Sequence, residues 1–262
     1  MSDTDIFCSA RAFFPRGLFQ PEGTFRFSAD ALLLAAFTVR QCLPVAGPAF
    51  LLDLGCGCGV VGLACLLALP ELTGVGIDID PVLAAAARTN AASLGLEKRF
   101  TTKILDLMSD RDVALMPPGG FDAVAANMPF RLPDSGRLPR SASRKRALFA
   151  DKDTLPAFLR GAKHALAANG RLALIYPLSG LERLLEALEH SGFSPLVVLP
   201  VIPARATSAR ILITAAHRHN GDSNLRRESP LFLYSSPGGP HTEEALAFCP
   251  WLASRPWPIK TS

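Results

Sequence analysis

The chain has 262 residues, of which 49% are hydrophobic and 19% charged, and its formal net charge is +4. This composition supports a sizeable buried core and excludes wholesale disorder. This small net charge does not by itself indicate a nucleic-acid partner. Evidence for such a partner must come from the positions of the cations in the sequence. The most apolar runs, residues 31–37 and 60–69, are far shorter than the ~20 residues of a membrane span. The polar N-terminus lacks a signal-peptide pattern, and we expect a cytoplasmic protein.

The six cysteines form no C-x-x-C pair, and no set of cysteines and histidines has zinc-finger spacing. We therefore predict free thiols and no metal site.

Short apolar runs alternate with longer helical patterns from about residue 49 to residue 216. The predicted strands are residues 49–54, 73–78, 100–105, 121–126, 171–176, 196–201 and 209–216. The predicted helices are residues 29–39 with Ser28 as N-cap, 60–68, 81–94, 155–168 ended by Asn169-Gly170, and 178–190. This alternation predicts an α/β fold with a mostly parallel, seven-stranded doubly wound sheet, helices on both faces and an antiparallel pair at the end. Ligands of such sheets bind at the carboxyl ends of the strands.

Three regions follow from this pattern: an N-terminal flank (1–45), a core domain (46–217) and a C-terminal tail (218–262). The apolar run Leu231–Tyr234 in the tail either packs on the sheet as an extra strand or mediates association. We expect a monomer.

A glycine-rich motif, LLDLGCGCG, joins the first strand to its helix at residues 51–59. Glycines let the backbone turn tightly and approach a ligand without a Cβ in the way. A dinucleotide site spaces its glycines G-x-G-x-x-G to present a helix N-terminus to a pyrophosphate. The strict alternation of Gly55, Gly57 and Gly59 suits the uncharged ribose and methionine of S-adenosylmethionine better than a nicotinamide cofactor.

Carboxylates end the next two strands. Asp78 can accept both ribose hydroxyls, and Asp106 can contact the adenine amino group. An isolated aspartate after a strand is usually a helix cap, but these residues in this order favour a cofactor site. The predicted cofactor-binding residues are Asp53, Gly55, Cys56, Gly57, Gly59, Asp78, Ile79, Asp106, Leu107 and Asn127.

The fourth strand ends in Asn127-Met128-Pro129-Phe130. This tetrapeptide resembles the Asn/Asp-Pro-Pro-aromatic motif of class I methyltransferases that act on planar nitrogens; an ordinary strand-to-loop turn is the alternative. An adenine N6 lone pair is delocalised, and accepting its two hydrogens with the Asn127 oxygen and the carbonyl of residue 128 would localise it. Phe130 would stack on the base and hold it in line with the methyl group.

Methionine 128 departs from that motif, since a proline is usual there. The carbonyl acceptor survives the change, whereas the fixed φ of proline is lost. A protein that binds its ligands without turnover is therefore one alternative.

Three stretches together resemble a known family: residues 25–37 (FRFSADALLLAAF), residues 52–62 (LDLGCGCGVVG) and the tetrapeptide. They resemble, in order, the bacterial N6-adenine methyltransferases that modify a valine tRNA beside the anticodon. The resemblance covers roughly residues 13–216 and implies a Rossmann-like class I methyltransferase fold that binds S-adenosylmethionine. It also implies that the loop and helix around 26–34 form a lid, in which Asp30 either orients polar groups or caps the helix. Gln20 stands where the family often has a glutamine.

A basic stretch follows the tetrapeptide, with a single acidic residue, Asp134, among six cations. These cations are Arg131, Arg137, Arg140, Arg144, Lys145 and Arg146. Emerging at the catalytic edge beside the target base, they are predicted to contact RNA phosphates, and Arg26 extends this surface. A solvated surface loop is the alternative.

The favoured function is methylation of the exocyclic N6 of an adenine in RNA, with tRNA as the favoured substrate, whose loop-exposed base enters the pocket. Methylation of a glutamine amide in a release factor is the enzymatic rival, because an amide nitrogen poses the same lone-pair problem. That rival does not need six cations beside the pocket.

Overall fold

A computed structural model describes residues 11–24, 26–44, 47–128, 153–203, 209–217 and 225–253. Its helices are α1 (Ala29–Gln41), α2 (Val60–Ala68), α3 (Pro81–Ser93), α4 (Asp110–Val113), α5 (Thr154–Ala165), α6 (Leu181–His190) and α7 (Glu243–Phe248). Its longer strands are β1 (Ala49–Leu54), β2 (Leu72–Asp78), β3 (Phe100–Ile104), β4 (Phe121–Ala126), β5 (Leu166–Pro177), β6 (Phe193–Ile202) and β7 (Arg210–His217). Two short strands follow, β8 (Arg226–Arg227) and β9 (Leu231–Phe232). Among these residues no helix has the length and apolar character needed to cross a membrane.

The described strands form one nine-stranded sheet in the order β3-β2-β1-β4-β5-β7-β6-β8, and β9 also pairs with β6. Strands β1 to β5 are parallel, whereas β7 is antiparallel to both β5 and β6. The predicted α/β fold, with its parallel core and closing antiparallel pair, is confirmed. The two short strands exceed the predicted seven and come from the tail.

Helices cover both faces of the sheet because its central strands are buried on both sides. One core joins Leu51 of β1 to the apolar faces of α1, α2 and α3. The other joins Leu52 and Leu54 to the apolar faces of α5 and α6. Neighbouring residues of β1 thus pack into opposite cores, as the two-residue period of a strand requires.

The predicted boundary between α5 and β5 was wrong. The helix ends at Ala165 and the strand begins at Leu166, so Asn169-Gly170 lies inside β5 and does not cap the helix. The β4–β5 register shifts between Phe121 and Ala123, which pair with Leu166 and Arg171. Residues 167–170 form a bulge there, and a Cβ on Gly170 would come within 2.9 Å of the Phe121 carbonyl oxygen.

The first turn of α1 is tied to strand β7 of the sheet by an ion pair. The Ser28 hydroxyl accepts a hydrogen bond from the Asp30 N–H and caps the helix. The Asp30 carboxylate instead pairs with the guanidinium of Arg210 on β7, with 3.1 Å between Oδ2 and Nε. Of the two predicted roles of Asp30, the structure thus shows the contact with a neighbouring polar group.

Residues 225–253 of the C-terminal tail pack back on the molecule. Leu231 and Leu233 are buried in the same core as α1, which matches the extra-strand alternative for this run. The Arg40 guanidinium on α1 donates to the carbonyls of Ala247 and Phe248 at the end of α7, at 2.7 and 2.9 Å. These bonds neutralise the negative end of the short helix and hold it on α1.

A buried carboxylate lies in the last part of β1. Asp53 is 1% exposed, and its Oδ2 accepts a hydrogen bond from the Gly62 N–H at 2.9 Å, in the first turn of α2. Burial raises the pKa of this carboxyl to about 7; the Gly62 bond opposes the rise and the nearby Asp78 carboxylate adds to it. Asp53 therefore joins β1 to α2, but its ionised form is unfavourable in this buried position.

We predict that Asp53→Asn changes how stability depends on pH. A folded-state pKa of about 7 against an ordinary 3.8 means that the unfolded chain loses this proton first. The stabilisation by the protonated carboxyl is complete below pH 3.8 and is lost as the pH rises through 7. The free energy of unfolding of the wild type should fall relative to the variant by up to about 4 kcal/mol between pH 4 and 8.

Urea unfolding of both proteins at several pH values measures this difference. Asp122→Asn is the matched control, since Asp122 is an exposed strand carboxylate that also accepts a backbone N–H, from Phe50. A difference between wild type and Asp53→Asn that stays constant from pH 4 to 8 would contradict the raised pKa.

Candidate active site

A cavity opens where β1, β2, β3 and β4 end at their carboxyl edge, the place expected for a ligand in such a sheet. The glycine turn and the loops after β2 and β3 form most of its wall. The residues that line it are Phe27, Ala31, Gly55, Cys56, Gly57, Cys58, Val60, Val61, Ile77, Asp78, Ile79, Asp80, Leu83, Leu105, Asp106, Leu107, Met108, Asn127, Thr154, Ala157 and Phe158.

Three glycines shape the turn between β1 and α2. Gly55, Gly57 and Gly59 have φ angles of 70°, 56° and 87°, the left-handed region that L side chains rarely adopt. A Cβ on Gly57 would meet nothing within 4 Å, so the space beside this glycine is open to a ligand. A Cβ on Gly55 would lie 3.2 Å from the ring of Phe158, so this glycine also permits a close contact between the turn and α5.

The Asp78 carboxylate holds the turn from the end of β2. Its Oδ2 accepts a hydrogen bond from the Gly57 N–H and its Oδ1 one from the Asp80 N–H, both at 2.8 Å. A carboxylate that lines the cavity is an acceptor of the kind that suits a ligand hydroxyl. The side chain of Asp80 caps α3 by accepting from the Val82 N–H, so the helix-cap role falls to Asp80 and leaves Asp78 at the cavity.

Asp106 fixes the loop after β3. Its Oδ1 accepts from the Met108 N–H at 2.8 Å, and its own N–H donates to the Asp112 carboxylate at 2.9 Å. Arg160 of α5 donates to the Leu107 carbonyl at 2.8 Å and pairs with Asp110 at 3.1 Å. The loop after β3 is therefore stabilised by hydrogen bonds among its own residues and by the contacts of Arg160 on α5.

The structure brings eight of the predicted cofactor residues together in the cavity: Gly55, Cys56, Gly57, Asp78, Ile79, Asp106, Leu107 and Asn127. Asp53 and Gly59 do not line it. Asp53 lies below the turn, bound to Gly62, and Gly59 is the residue before α2, where a Cβ would lie 3.1 Å from that of Ala87. Asp53 and Gly59 therefore support the wall of the cavity without lining it.

The two cysteines of the turn carry protonated thiols. Burial raises the pKa of Cys58 to about 12 and that of Cys56 well above its ordinary value, and the Asp53 and Asp78 carboxylates reinforce the rise. Because the thiolate is the nucleophile and metal ligand, neither thiol suits covalent chemistry. All five described cysteines are free. In the described ranges no three His, Cys, Asp or Glu side chains are grouped to hold a metal ion.

Asn127 follows β4 and lines the cavity, whereas Met128 turns away from it. The Met128 side chain is 1% exposed and packs in the core with Leu52 and Leu54. Its position after the strand therefore serves packing. Pro129 and Phe130, the rest of the predicted catalytic tetrapeptide, lie outside the described residues.

Several cavity residues were missed by the sequence analysis. Thr154, Ala157 and Phe158 come from α5, and Phe27 and Ala31 come from the segment before α1 and from its first turn. The Phe27 position lies in the stretch for which a lid was expected, but no local pattern singles out Phe158. Its place depends on how α5 packs against the glycine turn.

Arg26 is exposed and adjoins Phe27 of the cavity. The six cations of residues 131–146 lie outside the described residues, so their contact with RNA stays a prediction.

Residues 26–188 match the family model described as the methyltransferase small domain. A tRNA1(Val) (adenine(37)-N6)-methyltransferase of Porphyromonas gingivalis is 32% identical over 163 residues, which is 61% of this chain and 61% of that protein. A protein of the same name from Vibrio parahaemolyticus is 24% identical over 80% of this chain and 82% of its own length. A release factor glutamine methyltransferase of Cereibacter sphaeroides is 29% identical over 62% of this chain and 60% of its own.

The fold also has a counterpart among solved structures. A predicted O-methyltransferase from Agrobacterium tumefaciens superposes with a TM-score of 0.63 at 20% identity, covering 86% of this chain and 98% of its own. At that identity the likeness concerns the fold. The chain spans about three fifths of the Porphyromonas relative, and the family model covers more than half of the chain. The chain belongs to the methyltransferase small domain family.

Proposed function

We propose that the cavity binds S-adenosylmethionine and that the chain transfers its methyl group to the exocyclic N6 of an adenine in tRNA. The observation that carries this proposal is the position of Asn127, which lines the same cavity as the glycine turn, Asp78 and Asp106. A methyl donor held by the turn and a planar nitrogen held by Asn127 would meet there. The names of the Porphyromonas and Vibrio relatives support the tRNA substrate.

The residues present fit the cofactor. The open space over Gly57 accommodates an uncharged chain, and the Asp78 carboxylate suits a pair of ribose hydroxyls. The exposed apolar side chains of Ile79 and Met108 line the cavity near the two carboxylates and suit the faces of an adenine ring. When bound, S-adenosylmethionine supplies an electrophilic methyl group on a sulfonium.

The chain itself supplies acceptors and positioning. The side-chain oxygen of Asn127 accepts one hydrogen of the target amino group, and the carbonyl of residue 128 accepts the other. The lone pair would thereby be directed at the donor's methyl carbon, with S-adenosylhomocysteine as the leaving group and one amino proton released to solvent. Asn127 acts by hydrogen bonding and orientation, with no covalent enzyme intermediate.

We predict that Asn127→Ala lowers methyl transfer to tRNA at least ~100-fold, because the amino group loses an acceptor where charge develops. Affinity for the cofactor should change less than transfer does, since Asn127 is one of eight predicted cofactor residues in the cavity and the other seven are untouched. The measurement is transfer of labelled methyl from S-adenosylmethionine to unmodified total tRNA, followed by nucleoside mass spectrometry for N6-methyladenosine. Asn169→Ala, at an exposed asparagine in the β5 bulge, is the matched control.

Methylation of a release-factor glutamine is the second candidate, and it is favoured by relatives of that name. Measuring transfer from the same labelled cofactor to a release factor distinguishes the two candidate functions. A methylated protein beside unlabelled tRNA would replace the adenine proposal with the amide one. If neither tRNA nor the release factor is methylated while the cofactor still binds, the result would favour a binding protein without turnover.

Met128 bears on that last alternative, and its burial leads to a second prediction. Met128→Leu, which conserves volume, should keep both stability and transfer. Met128→Ala should lower the free energy of unfolding by about 2–5 kcal/mol through the cavity it leaves, while folded protein retains cofactor affinity. Urea unfolding and cofactor titration measure the two effects. Transfer that arises only in Met128→Pro would instead show that the natural chain is a binder.

A further inference from the structure

One exposed aromatic ring lies on a backbone that is fixed beside the cavity. Phe19 is 54% exposed, in the segment that leads to Phe27 and α1. A single exposed apolar side chain is ordinary on a protein surface. The way in which the backbone of Phe19 is anchored, however, is not ordinary.

One buried side chain binds both backbone polar groups of Phe19. The Asn90 Oδ1 on α3 accepts from the Phe19 N–H at 2.6 Å, and its Nδ2 donates to the Phe19 carbonyl at 3.0 Å. The same Nδ2 donates at 2.9 Å to the carbonyl of Cys58, a cavity residue. Asn90 is 1% exposed. The backbone of Phe19 is thus joined to the glycine turn through a single amide group.

A second bond closes the loop between Phe19 and the cavity. The Oε1 of Gln20 accepts from the Phe27 N–H at 3.2 Å, and Phe27 lines the cavity. Phe19 is therefore held from α3 on one side and linked through its neighbour to the lid on the other. The backbone that carries the ring needs little further ordering before the ring contacts a partner, which lowers the entropic cost of binding.

The segment that carries Phe19 has an excess of exposed cations over acids. Arg11, Arg16 and Arg26 are exposed in this segment against one exposed acid, Glu22, so a polyanion is favoured over a basic or apolar surface. A base that enters the cavity must leave its stack, and the next base then loses a neighbour. Aromatic rings are the usual replacement, because every base presents a π face.

We propose that the ring of Phe19 is a stacking platform for an unpaired base of the RNA substrate, held in place by Asn90. This inference rests on the proposed function and deepens it. It adds an RNA contact outside the basic stretch, and Asn90 becomes a positioning residue for it.

The test compares the affinity of the full chain for an unmodified valine tRNA transcript, with S-adenosylhomocysteine present. Phe19→Ala should raise the Kd for the transcript roughly 5- to 100-fold and leave the Kd for the cofactor unchanged. Phe19→Leu, which keeps an apolar side chain without the ring, should resemble the alanine variant. Phe19→Trp should restore wild-type affinity. These changes spare the core because the ring is exposed.

Phe50→Ala is the matched control. Phe50 is 53% exposed but lies near the amino end of β1, at the opposite edge of the sheet from the cavity. Its truncation should leave the affinity for the transcript unchanged. Equal effects of Phe19→Ala and Phe50→Ala, or full affinity in Phe19→Leu, would overturn the stacking role.

Failure of the proposed function has a different signature. A wild type that binds the transcript without methylating it contradicts the transfer reaction, while the Phe19 comparison still decides the stacking role. A wild type that does not bind the transcript overturns both.

Discussion

The geometry of the cavity depends on how the Asp78 carboxylate binds the turn after the neighbouring strand. Its two oxygens accept the N–H groups of Gly57 and Asp80, so the ends of β1 and β2 are held at a set separation. The turn reverses sharply only because its glycines adopt positive φ, and this leaves open space beside Gly57. Burial raises the pKa of Asp53 and the Asp78 carboxylate adds to that rise, so the anchor of the turn increases the cost of burying its neighbour.

The remaining walls come from segments far away in the chain, and each is attached by a polar side chain. Asn90 joins the N-terminal segment to the glycine turn, and Arg160 joins α5 to the loop after β3. Asp30 ties the first turn of α1 to Arg210 on β7. These contacts satisfy backbone carbonyls, an amide N–H or a side-chain charge in partly or fully buried surroundings, where an unpaired group would be costly. They stabilise the fold and set the positions of the N-terminal segment and of the loop after β3 together.

The substitution of methionine for proline after Asn127 has a packing explanation. Met128 fills the core beneath β4 with Leu52 and Leu54, and its side chain does not reach the cavity. A longer apolar side chain there replaces the conformational restraint of a proline ring with buried contacts. The C-terminal tail adds a comparable support, because Leu231 and Leu233 bury the side of the core that α1 covers.

Strand and helix periodicity determined the fold, since β1, α2 and β4 begin and end at the predicted residues. The glycine spacing and the carboxylates at the ends of β2 and β3 likewise indicated where the cavity lies and part of its lining, because these residues act through local backbone geometry. Only the tertiary structure decided that Phe158 lies against Gly55 and that Asn90 binds Phe19, since neither contact leaves a periodic or spaced signal. The bulge at Asn169-Gly170 could not be predicted from the sequence for a related reason. An Asn-Gly pair ends a helix or bends a strand equally well, and pairing with β4 selected the strand.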